Sequence, residues 1–325
     1  MQALWLENRK LEFKQHIPIP VPAGHQALIH VRLAGVCSTD LELVHGYYPF
    51  SGIPGHEFVG DVVRSPSDKS WVGKRVVGEI NIACGECETC QSGLTRHCEY
   101  RKTLGIHDWN GVFAEYLVLP LSNLHVVPDS MPDEVAVFTE PVAAALEILE
   151  QIELLPEHRV LIIGAGRLGQ LVAQVLQGTG CDLSVVIRHK KQAELLTNRN
   201  IHTLSEHELG PTKYDVIIEA TGSPDGLLLA KAFIRPRGKI VLKSTYKGEI
   251  YLDLSPIVVD EVTLIGSRCG SFDPALQYLK EQRVDPQPMI EVIYPLHRGI
   301  EAFEHAARPG ALKILIQPDS KDFLP

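Results

Sequence analysis

Six residues near the middle of the chain, Gly164-Ala165-Gly166-Arg167-Leu168-Gly169, constrain the fold more than any others. They follow a continuous, mostly apolar run, Arg159–Ile163 (RVLII), and precede residues 170–177, which read as a helix ending near Gly178 and Gly180. A second apolar run at 183–187 closes the unit. Strand, glycine turn, helix and strand form a βαβ unit, which implies a parallel sheet covered by helices. Within it Gly164 allows the tight turn, Gly166 lets the backbone approach a pyrophosphate, and Gly169 permits close helix–strand packing. The free N–H groups at the helix start, around Arg167 and Leu168, then favour a phosphate. With its strand before and its helix after, the motif reads as a dinucleotide site.

The end of the second strand bears on which dinucleotide is bound. A carboxylate there accepts hydrogen bonds from the ribose 2′-hydroxyl of NAD. This chain has Arg188-His189-Lys190-Lys191 instead, which suits a 2′-phosphate and favours NADP over NAD. The sheet is expected to continue through strands at 215–220, 239–242 and 262–266, with helices at 225–233 and 274–282. Thr221, directly after the first of these strands, joins the expected cofactor contacts.

At 325 residues the chain is too long for one ordinary core, so two domains are expected. Residues 1–127 read as a β-rich module: short runs at 27–33, 58–63, 75–78 and 114–118 are separated by Pro, Gly, Asn and Asp clusters. The first fifteen residues alternate apolar and charged types and read as a strand rather than a signal peptide. From Pro132 the pattern turns helical, with apolar positions at Val135, Phe138, Val142, Leu146 and Leu149. After about residue 285, strands at 290–294 and 313–316 and a helix at 300–307 return to the first domain. The expected division is 1–134, 135–284 and 285–325.

Seven cysteines are an odd number, which a closed disulfide framework does not explain. Cys84, Cys87, Cys90 and Cys98 fall within fifteen residues, in a lobe too rich in Gly, Thr and charge to bury itself. Four thiolates around one zinc would supply the missing core; an iron–sulfur cluster is the rival. Cys181 and Cys269 border expected strands and read as small, partly buried hydrophobes. Eighteen residues separate Cys37 from the pair His56-Glu57, and sulfur, imidazole nitrogen and carboxylate oxygen are the donors zinc accepts. Glu140, just before Pro141, is either a solvated helix residue or a further carboxylate for that site.

The formal net charge of −9 offers no surplus for phosphate neutralisation, so nucleic acid is not an expected partner. Apolar runs such as 160–164 fall far short of the roughly 18 residues a membrane span needs. A cytoplasmic protein acting on a small molecule is expected.

With these residues in place, the chain resembles the zinc-dependent medium-chain alcohol dehydrogenases, which include sorbitol and threonine dehydrogenases. The motifs are GVCSTD, GHEFVG, the cysteine quartet, FAEY at 113–116, Glu140-Pro141 and GAGRLG, in the family's order. The resemblance implies an α/β fold: a GroES-like β-rich catalytic domain and a doubly wound Rossmann sheet. It also implies two zinc ions per chain. Cys37, His56, Glu57 and Glu140 then match catalytic zinc ligands, and the quartet matches a structural site. Thr39 matches the residue that contacts the reacting oxygen, and Asp40 the carboxylate that orients the ligand imidazole. Many relatives have a His where this chain has Glu42, so Glu42 or His45 would take over proton release. The implied activity is hydride transfer between an alcohol or polyol, or its carbonyl, and NADP or NAD. The alternatives are a zinc-free quinone or enoyl reductase on the same fold, and a non-catalytic nucleotide-binding protein. A homodimer or homotetramer is expected, because the strand at 262–266 would otherwise expose a sheet edge.

Overall fold

Arg159–Ile163 is a strand with four of its five residues buried, as a strand covered on both faces must be. The computed structural model describes residues 1–245 and 249–318, and the chain divides into two compact units. One comprises Pro141–Ser271 and Glu281–Met289; the other comprises Met1–Glu140, Phe272–Lys280 and the segment from Ile290 onward.

In the unit that contains Arg159–Ile163, six parallel strands lie in the order His202–Leu204, Asp182–Val186, Arg159–Ile163, Tyr214–Glu219, Ile234–Leu242, Thr263–Gly266. Numbered along the chain this is 3-2-1-4-5-6, the Rossmann arrangement, whose ligand crevice lies beyond the carboxyl ends of the strands where the order reverses. Arg159–Ile163 is the strand at that reversal. The helix Arg167–Gln177 follows it and buries Gly169 through Leu176.

The other unit is built on a seven-stranded sheet in which Gln26–Gly35 is central. It pairs with Glu57–Arg64 along one side, and with Tyr116–Pro120 and then Lys313–Gln317 along the other. The register sets Glu57 beside Gly35, and Gly35 beside Leu315. The sheet is antiparallel except for Ile290–Pro295, which runs parallel to Lys313–Gln317.

Three features differ from expectation. The first fifteen residues form not one strand but a hairpin, Ala3–Glu7 paired with Lys10–Lys14. Its two-residue turn places Asn8 (φ 50°) and Arg9 (φ 63°) both in the left-handed region, the geometry that matches strand twist. The helix Phe272–Lys280 groups with the β-rich unit although the residues on either side group with the Rossmann unit. It buries Phe272, Ala275, Leu276 and Leu279. Phe272 meets the His125 ring, and Asp273 Oδ1 lies 2.6 Å from His125 Nδ1. The first run also extends to Glu140, which therefore shares a unit with Cys37 and His56.

Candidate active site and metal centres

The strand Gln26–Gly35 ends where the chain turns into a short helix, Ser38–Val44. Seven residues have too few internal hydrogen bonds to hold a helix unaided, and Asp40 supplies the cap: Cys37 N–H donates to its Oδ2 at 2.8 Å. Its other oxygen, Oδ1, lies 3.2 Å from His56 Nδ1. Asp40 is fully buried and His56 nearly so. One carboxylate thus secures the helix start that carries Cys37 and stands beside the imidazole Nδ1, which leaves Nε2 for a further partner. Burial disfavours the imidazolium, but Asp40 and the Cys37 sulfur outweigh it and raise the His56 pKa well above the ordinary value.

Donor atoms of Cys37, His56 and Glu57 lie within 4.8 Å of one another. Sulfur from the half-buried Cys37, with nitrogen and oxygen from the buried His56 and Glu57, fits zinc, whose catalytic sites use three protein ligands. Glu140 is not in this cluster; it lies in the first turn of the helix Thr139–Gln151 and is half-buried. Thr39 is half-buried, with Oγ1 3.8 Å from Cys37 Sγ. Glu42 and His45 form a loose pair of 3.8 Å between partly exposed and exposed side chains.

Sequence reasoning missed Lys313. Its ammonium contacts Glu57 Oε2 and lies 5.3 Å from the Phe138 ring centroid. The lysine is 2% exposed and Glu57 1%. The available signal was a lysine opening an otherwise apolar strand, KILI.

Sulfur–sulfur distances in the quartet are 3.5 Å for Cys84–Cys98, 3.8 Å for Cys87–Cys98 and 3.9 Å for Cys84–Cys90. A disulfide needs about 2.05 Å. A tetrahedron of thiolates about 2.3 Å from a central zinc has edges of about 3.8 Å, which these distances match. Backbone N–H groups of Cys84, Glu86 and Cys87 point at sulfurs, each at 3.4 Å. Hydrogen bonds from the backbone of Glu99 and of Cys90 hold the Cys87 thiol down to about 6.

In the glycine turn, two of the three glycines are required by internal packing. A Cβ at Gly164 (φ 104°) would crowd the Ala220 carbonyl, and one at Gly169 would overlap the Gly164 carbonyl. At Gly166, by contrast, no protein atom lies within 4 Å of where a Cβ would stand. Gly166 caps the helix Arg167–Gln177. Packing therefore does not require this glycine, and the open space at the helix start leaves room for the pyrophosphate that the motif would bind. Arg167 and Leu168 form the half-buried first turn. Thr221 is tied down by Glu219, whose Oε1 accepts from Thr221 N at 2.8 Å and Oγ1 at 2.6 Å. Glu219 was not anticipated. Arg188 is exposed and makes no ion pair among the described residues.

Residues 23–129 match the alcohol dehydrogenase GroES-like domain, and residues 145–255 match the shikimate / quinate 5-dehydrogenase family. A sorbitol dehydrogenase of Halalkalibacterium halodurans is 29% identical over 328 residues, 94% of this chain and 95% of that protein. An L-threonine 3-dehydrogenase of Deinococcus deserti is 31% identical over 270 residues, covering 76% and 78%. Among solved structures, a zinc-binding dehydrogenase from Sinorhizobium meliloti bound to NADP superimposes with a TM-score of 0.89 at 25% identity, covering 98% of this chain and 99% of that one.

Proposed function

The chain belongs to the zinc-type, medium-chain alcohol dehydrogenase family, and from that premise we propose how its residues serve hydride transfer between an alcohol or polyol, or its carbonyl, and a nicotinamide cofactor. The observation that carries the reading is the convergence of the half-buried Cys37 with the buried His56 and Glu57, with Asp40 beside two of them. A zinc ion held by these three supplies the Lewis acidity that polarises a hydroxyl or carbonyl oxygen. Asp40 orients His56, and Thr39 accepts the proton of the substrate hydroxyl as it releases its own onward. Glu42, on the helix that carries Thr39, or His45, at its C-cap, then passes the proton to solvent. The turn around Gly166 and the start of the following helix hold the pyrophosphate, and Thr221 lines the cofactor site. The quartet Cys84, Cys87, Cys90 and Cys98 holds a second, structural zinc.

The test combines metal analysis with a cofactor-reduction screen over alcohols, polyols and amino-alcohols. We expect zinc in the purified protein, reduction of the cofactor with at least one of these classes, and loss of that activity in Cys37→Ser. A protein that binds no metal and reduces neither cofactor with any of them is not this enzyme.

No helix among the described residues is long and apolar enough to cross a membrane. Four closely spaced cysteines with no disulfide among them suit a reducing compartment, which supports the reading of a cytoplasmic protein. A homodimer is the expected assembly. Thr263–Gly266 is the outermost strand of its sheet, with Leu264 exposed. Just before it in the chain, Tyr251, Val258 and Val259 are 92%, 74% and 79% exposed. Apolar surface beside an open sheet edge invites a second copy. Light scattering should give twice the chain mass for the unaltered protein and the chain mass for Val259→Glu. A monomer at micromolar concentration without the substitution removes the proposal.

A further inference from the structure

Lys313 is the only lysine buried among the described residues. A buried ion pair is poor evidence for stability, because removing two charges from water offsets most of their attraction. This pair has a distinguishing position: its carboxylate, Glu57, is also one of the three donors in the Cys37–His56–Glu57 cluster. The backbone is shaped around the contact. Gly35 is the register partner of Glu57 on one side and of Leu315 on the other, and Lys313 lies two residues before Leu315, on the same strand face. A Cβ at Gly35 would overlap Glu57 Oε2 and would stand 2.9 Å from Lys313 Cε and 3.1 Å from its Nζ. The missing side chain on the middle strand is what lets a lysine on one neighbour reach a carboxylate on the other.

We propose that Lys313 is a positioning residue for Glu57: its ammonium holds Oε2 and leaves the carboxylate one oxygen, Oε1, to offer to an ion bound by Cys37 and His56. This rests on the reading of those three residues as a metal site and goes beyond it. A carboxylate shared between an ammonium and a metal is a weaker donor than one that belongs to the metal alone. The Lys313 charge also offsets one of the two anionic ligands, so the bound ion keeps more of its own charge for a substrate oxygen. Without the ammonium, the buried Glu57 has only the metal as a cationic partner and turns both oxygens toward it.

The experiment uses the full chain loaded with Co²⁺. Cys37→Ser provides the reference spectrum that subtracts cobalt in the cysteine quartet. In Lys313→Met the visible bands should shift and weaken as coordination number rises, and extraction by a chelator should slow by about 10–100-fold, the usual reach of partners behind a metal ligand. In Glu57→Gln extraction should speed up, and adding Lys313→Met to it should change neither readout further, because the two residues act through one carboxylate. Gly35→Ala pushes a methyl group between the pair without removing a charge, so it should shift the bands in the same direction even if Lys313→Met does not fold. A fall in melting temperature with wild-type bands and extraction in both Lys313→Met and Gly35→Ala makes the pair merely structural and overturns the proposal. If no cobalt signal depends on Cys37, the metal-site reading itself fails and this role with it.

Discussion

Cys90→Ser should leave the protein with one zinc ion per chain where the unaltered protein holds two, and should cost it several kcal/mol of stability. The lobe between Ile82 and Lys102 holds only a four-residue helix, Glu88–Gln91, and one 3-10 turn, Thr95–His97. Within it Cys90 and Cys98 are buried, while Glu86, Glu88 and most of their neighbours are exposed. The segment therefore has almost no apolar area with which to offset the entropy of ordering it. Structural zinc contributes about 10–16 kcal/mol in small peptide modules, and that energy is folding energy because the unfolded chain has no preformed site. Serine places a poorer donor at one corner of the sulfur tetrahedron and opens the site to water. Metal analysis gives the ion count, and thermal unfolding with and without a chelator gives the stability. The chelator should lower the melting temperature of the unaltered protein far more than that of Cys90→Ser. Equal zinc content in the two proteins means that the quartet holds no zinc.

Features written locally were readable from the chain, and features that depend on distant partners were not. Arg159–Ile163 and the glycine turn after it correspond residue for residue, since an apolar run and a forced turn need nothing else to specify them. The hairpin at the start carries no turn signal in its sequence, because its turn uses Asn8 and Arg9 without the glycine that usually marks such a turn. The helix Ser38–Val44 gave no periodic signal because its cap, Asp40, and not its length, secures it. At the site, the triad of donor types was visible, and so was Asp40 through the family pattern. Lys313 was not, because it acts 256 positions away from Glu57 and only through the space left by Gly35. Glu140 matches a ligand position only through the family pattern, and it stands outside the group of donors within 4.8 Å that Cys37, His56 and Glu57 form. Spacing along a chain does not fix which carboxylates converge.

Cofactor choice should follow Arg188. It stands two residues after the strand Asp182–Val186, at the position where an NAD-binding chain has its ribose-binding carboxylate. The side chain is exposed, and no carboxylate among the described residues engages it. Lys190, close by, lies 3.8 Å from Glu194 with its own side chain 91% exposed, an arrangement too wet to hold it firmly. A free guanidinium holds a 2′-phosphate through charge-assisted and often bidentate bonds, but it cannot accept the hydrogen bonds of a ribose hydroxyl. A hydrogen bond to a charged group is worth about 1.5–3 kcal/mol, a factor of roughly ten to more than a hundred in affinity. Arg188→Ala should therefore raise the apparent KM for NADP by that factor and leave the KM for NAD nearly unchanged. Arg188→Asp should go further: the new carboxylate repels the phosphate and accepts the ribose hydroxyls, so the ratio of kcat/KM for the two cofactors inverts. Steady-state kinetics with both cofactors at fixed alcohol decides the matter. Should the unaltered enzyme turn over NAD better than NADP, or Arg188→Ala affect both alike, the guanidinium faces solvent and the phosphate is held elsewhere or not at all.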